Sequence, residues 1–149
     1  MKMKEICTTE VVCCARTLTA GEAARMMRQK HVGDLVVVDD PDGTRVPAGI
    51  VTDRDLVIEV MGKGVDPAAV TVAELMRTPV VVAEESEDLS QVIQRMHTHG
   101  VRRLPVVDHR GSIAGIVTLD DALRHLVGEA NALLGILAKE HDRELRLRR

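Results

Sequence analysis

Residues Ala48-Gly49-Ile50-Val51-Thr52 recur without change as Ala114-Gly115-Ile116-Val117-Thr118. Each copy is followed, three residues after its threonine, by an aspartate, Asp55 in the first and Asp121 in the second. An apolar run that ends in Thr-x-x-Asp predicts a buried strand leading into a helix, with polar side chains at the junction. Repetition of such a segment indicates that the chain consists of two similar units.

The remaining sequence can be aligned outward from this repeat. Asp39 and Asp108 are 69 positions apart, whereas Thr52 and Thr118 are 66 apart, so the first unit has three extra residues in the loop 40–45. That loop contains Pro-Asp-Gly, which is typical of a surface turn where added length costs little. We therefore predict a first repeat over residues 1–68, a second over 69–130, and a C-terminal helix or tail over 131–149.

Both repeats predict the order strand, helix, strand, strand, helix. In the first, we expect strands at 11–13, 35–39 and 48–52, a helix capped by Thr17, and a helix from Asp55 to about Gly62. In the second, we expect strands at 80–82, 104–108 and 114–118, a helix capped by Ser86, and a helix from Asp121 to about Gly128. A capping box at Thr71 and Glu74 predicts a short helix in the linker.

Beyond Gly128, apolar residues at i, i+3, i+4 and i+7 predict a third helix with no counterpart after the first repeat. These residues are Ala130, Leu133, Leu134 and Leu137. We interpret this helix as a lid on the shared core or as part of a dimer contact, and a dedicated partner-binding helix is the alternative.

Composition excludes several classes of function. The chain is 45% hydrophobic and 29% charged, with a net charge of −3, so nothing attracts it to nucleic acid or to an anionic membrane. It has no aromatic residues, which removes the usual stacking surfaces for single-stranded nucleic acid. We expect no signal peptide and no membrane span. An odd number of cysteines, three, favours a reducing cytoplasm over a disulfide framework.

The repeated segments resemble those of a cystathionine-β-synthase-type (CBS) domain pair, also called a Bateman module. The resemblance rests on residues 49–56, their twin 115–121, and Val101-Arg102-Arg103-Leu104-Pro105-Val106-Val107-Asp108. It covers roughly residues 5 to 130, so we expect a free-standing CBS pair with no catalytic domain attached. The stretch 52–75 is also similar to small bacterial CBS-pair proteins of the hypoxic-response and universal-stress type.

The resemblance implies an α+β fold in which two βαββα repeats pack sheet to sheet about a pseudo-twofold axis and leave two clefts. Members of this family often bind AMP, ATP, NAD or S-adenosylmethionine in these clefts and report the ligand to a partner protein. Many form dimers, and some have no known ligand. We therefore expect a homodimer, an adenine nucleotide and a protein partner.

The two Thr-x-x-Asp corners have a complete structural explanation as capping boxes, in which each side chain satisfies a free backbone N–H at a helix start. The same geometry suits a sugar, because a carboxylate can accept hydrogen bonds from both vicinal hydroxyls of a ribose. With the family resemblance, Thr52, Asp55, Thr118 and Asp121 become candidate ribose ligands.

Phosphate groups require positive charge, for which Arg102 and Arg103 are the candidates, followed by Arg54 at a helix start. The alternative is that Arg102 and Arg103 are solvated charges at the start of a strand. Their first-repeat counterparts are Gly33 and Asp34, so the two clefts differ. Asp34 would repel a phosphate or pair with an arginine across the pseudo-twofold axis.

An adenine pocket must have aliphatic walls because no aromatic residue is available. The candidates are the strand residues Val11, Val12, Ile50, Val80, Val81 and Ile116, although each of them taken alone is better explained as an ordinary core residue. We expect no metal site, since the cysteines align with the apolar residues Met76, Val82 and Ala83 and match no zinc pattern.

No nucleophile has an adjacent base and no glycine-rich loop cradles a phosphate, so we expect no catalysis and no catalytic residues. The sequence predicts a regulatory CBS pair that senses an adenine nucleotide. The alternatives are a ligand-free adaptor that acts through dimerisation or its C-terminal helix, and, less favoured, a metal-binding stress protein.

Overall fold

The duplicated sequence folds into two similar halves, each with a three-stranded sheet. The computed structural model describes residues 1–40 and 42–148. The first half contains α1 (Met3–Ile6), β1 (Cys13–Ala15), α2 (Ala20–Lys30), β2 (Asp34–Asp39), β3 (Val46–Thr52) and α3 (Asp53–Asp55), which continues as a π-helical segment over Leu56–Met61. The second half contains α4 (Val72–Leu75), β4 (Ala83–Glu84), α5 (Leu89–His99), β5 (Arg103–Val107), β6 (Ile113–Thr118) and α6 (Leu119–Leu147). The predicted order of strands and helices is confirmed from β1 onward, whereas α1 was not predicted.

The two sheets have the same topology and register. In each, the first strand runs parallel to the central strand and the third runs antiparallel to it. Val37 pairs with Gly49 in one sheet as Val106 pairs with Gly115 in the other, and both sheets have an irregularity directly after that pair. The halves are therefore copies at the level of backbone hydrogen bonding, as the repeated sequence predicts.

The central strands are buried on both faces. Leu35 and Val37 of β2 pack on the helical side, whereas Val36 and Val38 face a core shared with Ile113 and Ile116 of the other sheet. A strand that is covered on both faces has a continuous apolar sequence instead of alternating apolar and polar residues. This explains why the four consecutive residues Leu35-Val36-Val37-Val38 are all apolar. This shared core confirms the predicted sheet-to-sheet packing.

The first short helix of each half packs against the other half. Met3 of α1 lies in the core of the second half, and Val72 of α4 lies in the core of the first. The segments after these helices pass so close to β3 and β6 that a Cβ on Gly49 would lie 2.6 Å from the Met76 sulfur. A Cβ on Gly115 would lie 2.7 Å from the Cys7 sulfur. The glycine of the repeat is therefore required by this close approach.

The first strand of each half begins later than predicted. β1 starts at Cys13 instead of residue 11, and β4 starts at Ala83 instead of residue 80. The valines before these strands have strand propensity. They lead from the junction between the halves into each sheet without belonging to the strand. In the first half, the Val12 carbonyl accepts a hydrogen bond from the Val36 N–H of β2.

The predicted caps of α2 and α5 are wrong by two residues. The caps are Thr19 and Asp88 instead of Thr17 and Ser86. Each true cap has a Glu or Gln three residues later, which completes a capping box that the predicted residues cannot form. The predicted capping box at Thr71 is confirmed at the start of α4.

The predicted helix end at Gly128 is wrong, because α6 continues to Leu147. A glycine ends a helix by adopting a left-handed conformation, whereas Gly128 stays helical, followed by the helix formers Glu129 and Ala130. Residues 129–148 are all exposed, and Leu133 is 65% exposed, so this part of α6 is not a lid on the core. The boundary predicted at residue 130 falls inside this helix.

Candidate functional site

The Thr-x-x-Asp corner at β3 has the geometry of a capping box. The Thr52 backbone N–H and hydroxyl donate to Asp55 Oδ2 at 2.8 and 2.9 Å, and the Asp55 N–H donates to the Thr52 hydroxyl at 3.2 Å. Thr118 and Asp121 form the same three bonds at 2.9, 2.8 and 3.2 Å. The structural explanation of both corners is therefore confirmed.

The capping bonds leave one carboxylate oxygen free for a ligand in the first corner. Among the described residues, no group donates a hydrogen bond to Asp55 Oδ1. The matching oxygen of Asp121 lies 3.9 Å from an Arg124 guanidinium nitrogen. Both aspartates are only partly buried, so a solute can reach them. A helix cap and a ligand contact are thus compatible at Asp55.

A cavity of about 450 Å³ lies between the halves beside the first corner. This volume falls within the range of small-molecule sites. The first half supplies Ile50, Thr52, Asp53, Arg54 and Asp55 to its lining. The linker and second half supply Arg77, Pro79, Val80, Val81, Gly100, Val101, Arg102, Arg103 and Leu104.

This cavity brings together eight of the candidate ligand residues. They are Ile50, Thr52, Arg54, Asp55, Val80, Val81, Arg102 and Arg103. They include a predicted sugar corner from one half and both predicted phosphate arginines from the other. The structure therefore brings the candidate ribose, phosphate and apolar contact residues around one cavity.

The remaining candidates lie elsewhere. Thr118, Asp121, Val11, Val12 and Ile116 are not part of this cavity lining. Ile116 is only 8% exposed and belongs to the core between the sheets, which Val11 also contacts. The two corners are alike in geometry, but the structure joins only the first to the arginines.

The charge of the cavity lining is predominantly positive. Four arginines and two aspartates line it, although the whole chain has a net charge of −3. Arg103 donates to Asp34 across the two halves, which confirms the predicted pairing across the pseudo-twofold axis. Within residues 1–40 and 42–148, Arg54, Arg77 and Arg102 form no ion pair. These three side chains can therefore receive an anion.

The pseudo-symmetric cleft has the opposite character. The alignment places Gly33 and Asp34 where the cavity has Arg102 and Arg103, and Asp120 where it has Arg54. Glu10 occupies the position of Pro79. The aligned positions around the second corner therefore carry more carboxylates and fewer guanidinium groups than those around the first, although Arg124 lies 3.9 Å from Asp121.

The sequence analysis missed Arg77 and Asp53 as lining residues. Arg77 lies alongside β3, where it forms a bridge with Ile50. Its counterpart in the alignment is Thr8, so the repeat gives no indication of a charge at this position. Asp53 belongs to the same helix start as Arg54, and its N–H donates to the Gly33 carbonyl at 2.9 Å. Arg77 could be found only by knowing that the linker passes along β3.

The cysteines are small apolar residues in weakly reactive surroundings. Burial raises the pKa of Cys14 to about 11, and desolvation also raises the pKa values of Cys7 and Cys13. A raised pKa lowers the thiolate fraction and with it the reactivity of a thiol. In the described part of the chain, no three His, Cys, Asp or Glu side chains come together to hold a metal ion.

The CBS domain model matches residues 3–62 and 72–128, the two halves described above. The chain belongs to the CBS domain family. This CBS pair has no helix, within residues 1–40 and 42–148, that is long and apolar enough to cross a membrane.

Two relatives and one solved structure illustrate the similarity of this chain to other proteins. An uncharacterised protein of Methanopyrus kandleri is 38% identical over 120 residues, which cover 80% of this chain but only 60% of that relative. Hypoxic response protein 1 of Mycobacterium tuberculosis is 35% identical over 124 residues, which cover 83% of each chain. The crystal structure of Hypoxic Response Protein I, which holds two coordinated zinc ions, matches with a TM-score of 0.73 and 32% identity, covering 84% of this chain and 98% of that one.

A ligand-bound structure also resembles this chain. The CBS domain pair of protein MJ0100, in complex with 5′-methylthioadenosine and S-adenosyl-L-methionine, matches with a TM-score of 0.73 and 26% identity. The match covers 87% of this chain and 98% of that pair. Adenosine derivatives are therefore ligands of a CBS pair with this fold.

Proposed function

We propose that this CBS pair is a regulatory module that binds a phosphorylated adenine nucleotide in the cavity beside Thr52 and Asp55. The observation that supports it best is that one cavity joins the Asp55 corner of the first half to Arg102 of the second. The aspartate with an unused carboxylate oxygen comes from the first half, whereas two of the three lining arginines that form no ion pair among the described residues, Arg77 and Arg102, come from the linker and the second half. A ligand with a sugar and a phosphate fits this arrangement, because its sugar can contact Asp55 of the first half while its phosphate contacts Arg102 of the second.

Each part of the nucleotide has a complementary surface. Asp55 Oδ1 accepts from the ribose hydroxyls while Oδ2 remains in the helix cap, so binding does not cost the helix its start. Arg102, Arg54 and Arg77 surround the phosphates, and guanidinium groups suit phosphate because they donate in pairs. Ile50, Val80 and Val81 supply aliphatic walls for the adenine.

The charge of the cavity selects among adenosine ligands. AMP, ATP and NAD carry phosphates, whereas S-adenosylmethionine carries a sulfonium cation. Four arginines attract the phosphates and repel the sulfonium. We infer that ATP, AMP or NAD occupies this cavity in preference to S-adenosylmethionine.

The ion pair between Arg103 and Asp34 couples the ligand to the arrangement of the halves. Arg103 lines the cavity and also pairs with Asp34 of the other half, so a phosphate competes with Asp34 for this arginine. A ligand shifts an equilibrium only when it interacts differently with the two states, and this competition supplies the difference. A protein partner that contacts both halves can detect the change, with no catalysis by the CBS pair itself.

Calorimetric titration of nucleotide-free protein tests this function. We expect saturable binding of at least one of AMP, ATP and NAD, and binding of S-adenosylmethionine that is at least about tenfold weaker. Arg102→Ala should weaken the binding of the phosphorylated ligand by about tenfold, because a hydrogen bond to a charged group contributes about 1.5–3 kcal/mol.

The matched control is Arg110→Ala, since Arg110 is exposed and does not line the cavity. This variant should bind as the wild type does. The absence of heat with all four ligands, or an equal loss in both variants, would contradict the proposed function.

A further inference from the structure

The segment 79–81, which lines the cavity, lacks a sheet hydrogen bond that its counterpart in the first half has. In the first half, the Val36 N–H of β2 donates to the Val12 carbonyl at 3.0 Å, directly before β1. Val36 aligns with Pro105 of β5, which has no N–H, so the Val81 carbonyl cannot receive the corresponding bond. Accordingly, β4 begins one aligned position later than β1. The sheet therefore holds this part of the cavity wall less firmly than it holds the matching part of the first half.

An arginine of α5 attaches this segment in another way. Arg95 Nη1 donates to the Val82 carbonyl at 2.7 Å and to Glu87 Oε2 at 2.7 Å, and Arg95 Nη2 donates to Glu87 Oε1. Glu87 also accepts from the Glu84 N–H of β4 at 2.7 Å, so the carboxylate that orients the guanidinium is itself tied to the sheet. The Arg95 and Glu87 side chains are 32% and 15% exposed, so solvent screens this pair less than a fully exposed one.

The first half has apolar residues in place of this network. With the same offset of 69 positions that relates Asp39 to Asp108, Arg95 aligns with Met26 and Glu87 aligns with Leu18. Both Met26 and Leu18 pack against the core of the first half. The half that lacks the sheet hydrogen bond is thus the half that has the charged network.

We propose that Arg95 is a positioning residue for the nucleotide, which acts through the Val82 carbonyl to hold the segment 79–81 as the wall against which the adenine packs. This inference rests on the proposed function, which assigns Val80 and Val81 to that wall. Arg95 and Glu87 do not line the cavity, so they affect the ligand only through this segment. A wall that is fixed before binding costs less to order when the ligand arrives, and affinity rises accordingly.

Exchanging the network for its first-half counterparts tests this role. Arg95→Met combined with Glu87→Leu removes one positive and one negative charge, so the net charge remains −3. Replacing both members of such a pair by apolar residues is often neutral for stability, so this double variant should remain folded. In calorimetric titration, the Kd for ATP should rise about tenfold, whereas the Kd for inorganic triphosphate, which has no adenine, should stay within about twofold of the wild-type value.

A third substitution should restore binding. Pro105→Val, added to the double variant, supplies the backbone N–H that Val36 has in the first half, so the sheet can hold the Val81 carbonyl. The Kd for ATP should return to within about threefold of the wild-type value. The matched control is Arg16→Gln combined with Asp39→Asn, which removes an ion pair of the first half outside the cavity and should leave this Kd within about twofold.

The heteronuclear NOE of backbone amides tests the attachment in the ligand-free protein. The NOE values of Val80 and Val81 should fall in the double variant and recover when Pro105→Val is added, because they report motion on the picosecond to nanosecond timescale. Failure of the wild type to bind any nucleotide would contradict the proposed function, whereas the NOE values decide independently whether Arg95 holds the segment.

Four results would overturn the positioning role. They are unchanged NOE values in the double variant, wild-type affinity of that variant for ATP, an equal loss of affinity for ATP and inorganic triphosphate, and no recovery when Pro105→Val is added to a protein that circular dichroism shows to be folded. A role in stability alone would lower the free energy of unfolding without changing the ratio of the two Kd values.

Discussion

The two Thr-x-x-Asp corners have the same internal hydrogen bonds but differ in the number of arginines around them. The first corner opens on a cavity with Arg54, Arg77 and Arg102, and the second faces the counterparts of these residues, of which Asp120 and Thr8 are two. The common geometry is explained by helix capping, so it does not distinguish a binding corner from a structural one. The difference lies in what the other half presents, and this comparison identifies the first corner as the candidate site.

The largest expected effect is a loss of nucleotide binding that is confined to one corner. Asp55→Ala and Asp121→Ala each remove the carboxylate half of a capping box while the threonine cap remains, and each should lower the free energy of unfolding by about 1 kcal/mol or less. Only Asp55→Ala should also weaken nucleotide binding, by about 100-fold, because it removes a charged acceptor of two ribose hydrogen bonds. Urea unfolding and calorimetric titration measure the two effects separately.

Equal affinities in these two variants would show that the corners act only as helix caps. A loss of nucleotide affinity confined to Asp121→Ala would place the ligand at the second corner instead of the first.

A smaller effect in the opposite direction is expected at Asp34. Asp34→Asn removes the partner of Arg103 and frees this guanidinium for phosphate, so the nucleotide should bind about three- to tenfold more tightly. The free energy of unfolding should fall by about 1 kcal/mol or less, because the Arg103 side chain is 34% exposed and such pairs contribute little. The gain in affinity should shrink in high salt, which screens exposed charges.

Asp120→Asn is the matched control, since it removes one negative charge from the other cleft. It should leave nucleotide affinity within about twofold at physiological salt, where separated surface charges are screened. Equal tightening by both variants would mean that net charge, and not competition for Arg103, controls binding.

The sequence predicted the features that repeat and missed those that depend on contact between the halves. The repeated Gly-Ile-Val-Thr run located β3 and β6 because a buried strand followed by a helix cap leaves a strong local pattern. The sequence did not predict Arg77 as a lining residue, because its position depends on the path of the linker along β3 and no local sequence pattern indicates that path. Sequence alone also could not show that the arginines join the first corner and not the second.

Helix ends were predicted poorly where two local rules competed. Gly128 has the residue type of a helix stop, but the helix formers after it outweigh the cost of one glycine. The caps of α2 and α5 could have been predicted from the sequence, since Thr19 with Glu22 and Asp88 with Gln91 both have the spacing of a capping box.

Amide chemical shifts from a two-dimensional NMR titration with ATP test the central claim most directly. The claim is that a phosphorylated nucleotide occupies the cavity between Asp55 and Arg102 and not the acidic cleft. We predict saturable shifts for the amides of Thr52, Val80 and Arg102, with smaller changes or none for the equivalent amides of Thr118, Val11 and Gly33. Shifts centred on Thr118 and Gly33, or no shifts at millimolar nucleotide, would contradict it.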